Sequence, residues 1–156
     1  MKQALIDELK GQKNFFFTTV SVLSEEDSNF RPTEEMYTVA QHIAHVAETI
    51  KWFFEGAFGR NGFDMNFDNY SEKMKVYKSF DNSITYMEEE IATAIAKLEV
   101  LSDSELLAPI DGPIMKGAPK MNIIGAIVDH TAHHRGALSV YARLLGKTPQ
   151  MPYSEM

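Results

Sequence analysis

The chain has 156 residues, 44% hydrophobic and 24% charged, which is the balance of one globular domain rather than of a disordered chain. Its net charge of −7 opposes nucleic-acid binding, because such binding depends on cations that neutralise phosphates. The lack of cysteine excludes disulfides, thiolate metal sites and cysteine nucleophiles, and no apolar run is long enough to span a membrane.

The first predicted helix begins near the start of the chain and ends near Ser24. It carries Asp7 and Glu8 and lacks the basic end and apolar run of a secretory signal, so a cytoplasmic location is expected. Its apolar residues recur at helical spacing and form one stripe, which consists of Leu5, Leu9, Phe16, Val20 and Leu23.

The second predicted helix follows a polar connection that contains Pro32. Thr38 is a suitable N-cap, and the helix extends to about Phe58. Glycine, asparagine and aspartate in residues 59–70 indicate a loop, followed by a short helical piece. The core-facing row of this helix consists of Val39, Ile43, Val46, Ile50 and Phe53.

The third predicted helix is capped by Ser79 or Asp81. Its glutamates, Glu88 to Glu90, are expected to face water rather than to bind a metal. Prolines and glycines in residues 107–121 indicate a connection without helix. The core-facing row of the third helix consists of Ile84, Met87, Ile91, Ile95 and Leu98.

The fourth predicted helix begins after Asn122 and ends at Gly146. No segment shows the sustained alternation of a strand, so the sequence predicts an all-α protein. Four amphipathic helices bury their apolar stripes best against one another. We therefore expect a single four-helix bundle domain over residues 1–156.

All five histidines lie in two of these helices, two in the second and three in the fourth. His130 and His134 are four residues apart, so they project from one helix face and can bind one ion. Relative to the apolar stripe around Ile127, both point into the core, whereas His133 lies at its edge. Buried imidazoles without partners would each cost about 1–3 kcal/mol. The pair therefore indicates a metal site, with hydrogen-bonded core histidines as the alternative.

The second helix should supply a third ligand, and its periodicity favours one histidine over the other. At about 100° per residue, His42 lies about 60° from the centre of the apolar row and His45 about 120° from it. The pattern alone selects His42.

Three further side chains near the histidines could take part in chemistry. Glu48 and Asp129 are the nearest carboxylates in sequence, and by the same angles both project toward the surface. Tyr141 falls on the core face of the fourth helix. We expect it to be a buried core residue, with a hydroxyl that contacts a substrate as the alternative.

The fourth-helix segment DHTAHHRGALSVYARLLG, followed by KTPQMPY, resembles the end of DinB-like proteins, four-helix bundles that include YfiT-like enzymes. In that family a histidine from the second helix and an H-x3-H pair from the fourth form a three-histidine site for a divalent metal. His130 and His134 match the pair, and Arg135 and Gly136 complete its H-H-R-G signature.

The resemblance also bears on the third ligand. The family's second-helix histidine precedes an aromatic residue by about seven positions, as His45 precedes Trp52 in TVAQHIAHVAETIKWFFEGAF. The resemblance therefore implies His45, with His42 as the fallback or as a neighbour of the ligands. Zinc and nickel suit imidazole best, and manganese or iron would suit a site that carboxylates assist.

The resemblance implies a divalent-metal-dependent enzyme that acts on a small molecule. Transfer of a low-molecular-weight thiol to an electrophile ranks somewhat ahead of hydrolysis, and three imidazoles leave a position open for water or substrate. The alternative is a non-catalytic stress-response or interaction bundle that the metal stabilises. A homodimer is expected, because Trp52, Phe53 and Phe54 provide more apolar surface than one stripe can use.

Overall fold

Six α-helices make up most of residues 1–68 and 70–153, the part of the chain that this computed structural model describes. No strand occurs within this part, and only an isolated antiparallel bridge joins Pro109 to Pro119. The prediction of an all-α protein is therefore confirmed. The helices are α1 (Lys2–Val20), α2 (Val39–Phe58), α3 (Tyr70–Met74), α4 (Phe80–Val100), α5 (Asp103–Leu107) and α6 (Ile123–Leu144).

The ends of the long helices follow local sequence signals. The Thr38 hydroxyl accepts a hydrogen bond from the Gln41 backbone N–H at 3.2 Å, and the Gln41 side chain accepts one from the Thr38 N–H at 3.0 Å. The Ser79 hydroxyl caps α4 by accepting a hydrogen bond from the Asn82 backbone N–H at 3.2 Å. Gly146 follows α6 with a φ of +76°, a left-handed conformation that favours glycine.

The first helix ends at Val20, four residues earlier than the sequence suggested. Ser24 does not end this helix, because it is the N-cap of a separate 3-10 turn, Glu25–Asp27, and forms a capping box with Asp27. Leu23 is nevertheless buried at 5% exposure, so the apolar stripe continues past the end of the helix.

The four long helices pack as a bundle in which α1 and α2 each lie beside α4 and α6. Helices α1 and α2, which are consecutive in sequence, therefore lie diagonally opposite each other in the bundle. The predicted apolar rows form the core, although on α2 it is Phe54 that is buried at 2% exposure, while Phe53 is half-buried. None of the described helices is both long and apolar enough to cross a membrane.

The connection between α2 and α4 folds back onto α2. The Trp52 indole N–H donates to the Asp64 carbonyl at 2.7 Å, and the Trp52 and Phe63 rings lie 4.8 Å apart. Gly56 permits this approach, because a Cβ there would lie only 2.2 Å from the Phe63 ring. These contacts hold the connection against the C-terminal half of α2.

Candidate metal centre

The Nε2 atoms of three imidazoles, which come from two neighbouring helices, face one another. His45 comes from α2, and His130 and His134 occupy successive turns of α6. His130 Nε2 lies 3.2 Å from His45 Nε2 and 3.1 Å from His134 Nε2. The structure therefore brings together the three histidines that the family resemblance implied.

The three rings are neutral near pH 7, which is the form that binds metals. Burial lowers the pKa of His45 and of His130 from 6.5 to about 4. Burial, followed by the charge of His130, lowers the pKa of His134 to about 2. Each Nε2 can therefore present a lone pair at neutral pH.

The arrangement of these nitrogens fits a cation better than a hydrogen-bond network. A ring nitrogen offers either one proton or one lone pair, so His130 Nε2 cannot make good hydrogen bonds to both of its neighbours. Imidazole nitrogens bound to one tetrahedral ion at about 2.0–2.1 Å lie about 3.3 Å apart. The observed separations of 3.1 and 3.2 Å are close to that spacing.

His42, which periodicity favoured, lies behind this group. It is 6% exposed, and its Nε2 lies 2.6 Å from Nδ1 of His134, the ring nitrogen opposite the cluster. Its own Nδ1 is buried without a hydrogen-bond partner in the described part of the chain. Periodicity thus identified the more buried histidine of α2, but that residue contacts His134 from outside. His133 is exposed, as its position at the edge of the stripe suggested.

Tyr70 is a site residue that sequence analysis missed. Its hydroxyl lies 3.0 Å from His45 Nδ1, and burial raises its pKa to about 12, so the hydroxyl is neutral. Tyr70 begins the five-residue helix α3 within the connection that follows α2. Periodicity cannot place a side chain that lies on so short an element, and no motif marks this tyrosine.

Glu48 corrects the prediction that it projects to the surface, because the structure buries it to 5% exposure. Its carboxylate accepts hydrogen bonds from Lys73 at 2.6 Å, Tyr86 at 2.7 Å and Tyr77 at 3.0 Å. Burial raises the pKa of Glu48, but these donors outweigh it and hold the pKa below its usual value. The angular estimate failed because α4 and the connection cover this side of α2.

The remaining candidates lie as expected, except for Glu90. Asp129 is exposed, and Glu88 and Glu89 face water, while Glu90 is half-buried. The Tyr141 hydroxyl donates to the Tyr37 carbonyl at 3.0 Å, which makes it a core tyrosine.

The aromatic residues of α2 that suggested a homodimer have partners within the chain. Trp52 and Phe53 both pack against Phe63. The homodimer stays a prediction.

A cavity of about 700 Å³ adjoins the histidines, and His45 and His130 form part of its wall. This volume is in the range of small-molecule sites. Charged residues line it as well, including Lys51, Glu55 and Lys73. Its aromatic wall consists of Trp52, Phe53, Phe67 and Tyr70.

Comparisons with known proteins agree with this architecture. The sequence model of the DinB family matches residues 1–156. One similar solved structure is described by the words "YfiT from Bacillus subtilis is a probable metal-dependent hydrolase with an unusual four-helix bundle topology". It shares 19% sequence identity with this chain at a TM-score of 0.71, over 94% of this chain and 89% of that one, which shows a common fold. A search of curated proteins found no match.

Proposed function

The chain belongs to the DinB family, and we propose that it is a metal-dependent hydrolase of a small molecule, with a divalent ion bound by His45, His130 and His134. The observation that carries the proposal is the convergence of three Nε2 atoms beside a cavity of about 700 Å³. The similar fold of a protein described as a probable metal-dependent hydrolase supports hydrolysis as the reaction.

A divalent ion at this position would supply a Lewis acid that activates water near neutral pH. We propose zinc first, because imidazole nitrogens suit it and hydrolysis needs no redox chemistry. The protein contributes three neutral imidazoles and, beside them, a cavity that is large enough to hold a small molecule. The aromatic side chains Trp52, Phe53 and Phe67 favour a substrate with an apolar portion.

Glu48 is not the general base of this proposal, although it lines the same cavity. Both of its oxygens accept hydrogen bonds, one from Lys73 and the other from Tyr77 and Tyr86. A carboxylate bound in this way is a weak proton acceptor, because its pKa lies below the usual value. The proposed site therefore relies on the ion rather than on a carboxylate to activate the nucleophile.

The test compares two histidines that are adjacent in sequence, of which only His134 belongs to the proposed site. Untagged wild-type protein, His134→Ala and His133→Ala are analysed for bound metal and assayed with panels of esters, amides and lactones. His133 is exposed and serves as the matched control. We expect one ion per chain and metal-dependent hydrolysis in the wild type and in His133→Ala, and loss of both in His134→Ala.

Three results would contradict the proposal in different ways. A wild type that binds no metal under any loading condition refutes the metal site. Turnover only in mixtures of a low-molecular-weight thiol and an electrophile replaces hydrolysis with thiol transfer. Bound metal that raises thermal stability without turnover of any panel supports the non-catalytic bundle.

A further inference from the structure

We propose that Tyr70 and His42 are positioning residues of the metal centre, because they hold the outer ring nitrogens of two proposed ligands. Tyr70 holds Nδ1 of His45 at 3.0 Å, and His42 holds Nδ1 of His134 at 2.6 Å. This inference rests on the metal site of the proposed function, but not on the reaction. Its tests therefore measure binding and ring geometry rather than turnover.

The direction of both hydrogen bonds follows from the position of the inner nitrogens. His45 Nε2 and His134 Nε2 both face His130 Nε2, so a bound ion requires their lone pairs on that side. A neutral imidazole then carries its proton on Nδ1. His45 donates this proton to the Tyr70 oxygen, and His134 donates it to His42 Nε2. Each bond fixes both the protonated nitrogen and the orientation of its ring.

His42 has a feature that stability alone does not explain. If His42 Nε2 accepts the proton from His134, then His42 Nδ1 carries a proton of its own, and that atom is buried without a partner among the described residues. An apolar side chain at this position would avoid the cost of a buried, unpaired donor. His134 Nδ1 needs a hydrogen-bond acceptor, and this need accounts for an imidazole rather than an apolar side chain at position 42.

Tyr70 lies on a segment that several contacts fix in place. Met74, at the end of α3, is fully buried, and Lys73 forms a 2.6 Å ion pair with Glu48. Tyr77 follows α3 and donates to the same carboxylate at 3.0 Å. The hydroxyl of Tyr70 is therefore presented to His45 by an anchored element, which is what a positioning role requires.

The first test compares Tyr70→Phe with Tyr37→Phe. The Tyr37 ring lies 5.3 Å from the His45 ring, but its hydroxyl makes no hydrogen bond to a histidine in the described structure, so it is a matched control. Zinc affinity is measured by competition with a chromophoric chelator. We expect Tyr70→Phe to bind zinc about 10–100-fold more weakly and Tyr37→Phe to bind it as the wild type does.

The second test uses His42→Leu and His42→Gln. Leucine removes the acceptor for His134 Nδ1, whereas the glutamine carbonyl oxygen can accept the same proton. We expect about a 10–100-fold loss of zinc affinity in His42→Leu and recovery of most of it in His42→Gln. Circular dichroism and thermal midpoints show whether each variant folds.

A third measurement reports ring geometry without any substrate. In zinc-loaded wild-type protein, NMR should show slowly exchanging Nδ1 protons on His45 and His134. Tyr70→Phe should lose that protection for His45 alone, and His42→Leu should lose it for His134 alone.

Two results would overturn the inference. They are wild-type zinc affinity in both Tyr70→Phe and His42→Leu, and unchanged protection of both Nδ1 protons in these variants. A wild type that binds no zinc refutes this inference together with the metal site. A wild type that binds zinc but hydrolyses nothing contradicts only the hydrolase, and the differences between variants then still support the positioning roles.

Discussion

Two buried polar clusters lie one turn apart on α2 and differ in how their atoms are paired. The Glu48 cluster joins one carboxylate to three donors, which come from Lys73, Tyr77 and Tyr86. The histidine cluster places three Nε2 atoms against one another and leaves a fourth ring with an unpaired buried Nδ1. It consists of His42, His45, His130 and His134.

Under the proposed function, the difference separates groups that stabilise the fold from groups that serve binding. A buried carboxylate that accepts three hydrogen bonds has its polar atoms paired within the chain, so it stabilises the fold. Converging nitrogens of the same kind are complementary to a cation instead, so their arrangement costs stability until an ion binds. Burial and polarity alone would have ranked the two clusters together.

The largest expected effect is the response of the metal-free protein to acid. The folded pKa values are about 4 for His42, His45 and His130 and about 2 for His134, against an ordinary value of 6.5. Between these values the unfolded chain binds protons that the folded chain does not, so stability falls as pH falls below about 6.5. We expect chelator-treated protein to lose about 4 kcal/mol or more between pH 7 and pH 5, measured by urea unfolding.

The Glu48 cluster should not contribute to that loss. Its folded pKa lies below the ordinary 4.5, so its stabilising effect is present above that pH and declines only in stronger acid. His133→Ala, which removes an exposed histidine, should show the full loss between pH 7 and pH 5. Unfolding free energies that stay flat over this range would contradict the assignment of the cluster as neutral and buried.

The next effect concerns Glu48 itself. Glu48→Gln keeps the size of the side chain but removes the charge that Lys73 and the two tyrosine hydroxyls bind. We expect a loss of about 2 kcal/mol in unfolding free energy, with one ion per chain still bound at saturating zinc. Asp129→Asn, at an exposed position on α6, is the control and should change stability little. Loss of metal at saturation in Glu48→Gln would mean that the two clusters are one functional unit.

The smallest effect has the opposite sign. His130→Leu removes the central imidazole, whose Nε2 lies against two others, and should make the metal-free protein about 0.5–1 kcal/mol more stable than wild type. Zinc should no longer raise the thermal midpoint of this variant. If His130→Leu instead destabilises the metal-free protein as much as Glu48→Gln does, the two clusters do not differ in the way argued above.

Local signals and helical periodicity predicted the bundle well. Thr38 and Gly146 mark helix ends by their own chemistry, and the row around Ile127 follows from spacing alone. The pair His130 and His134 needed only a helix and an i, i+4 spacing.

The other parts of the site depend on segments that are distant in sequence. Glu48 is buried by residues 70–86, so its own helix gives no sign of that burial. The angular position of a residue on α2 indicates only how directly its side chain faces the centre of the core. His45 instead lies where α2 meets α6 and the cavity, so this angle did not identify it. For the same reason Tyr70 could not be assigned to His45 before the connection was placed.

The pairing of α2 with α6 also has a consequence for biosynthesis. His45 and His130 are 85 residues apart, so the first part of the chain leaves the ribosome long before the site can form. A nascent chain that ends before residue 130 offers His45 without either of its α6 partners, and it cannot chelate an ion through this triad. Metal occupancy would then distinguish fully synthesised, folded molecules from unfinished ones.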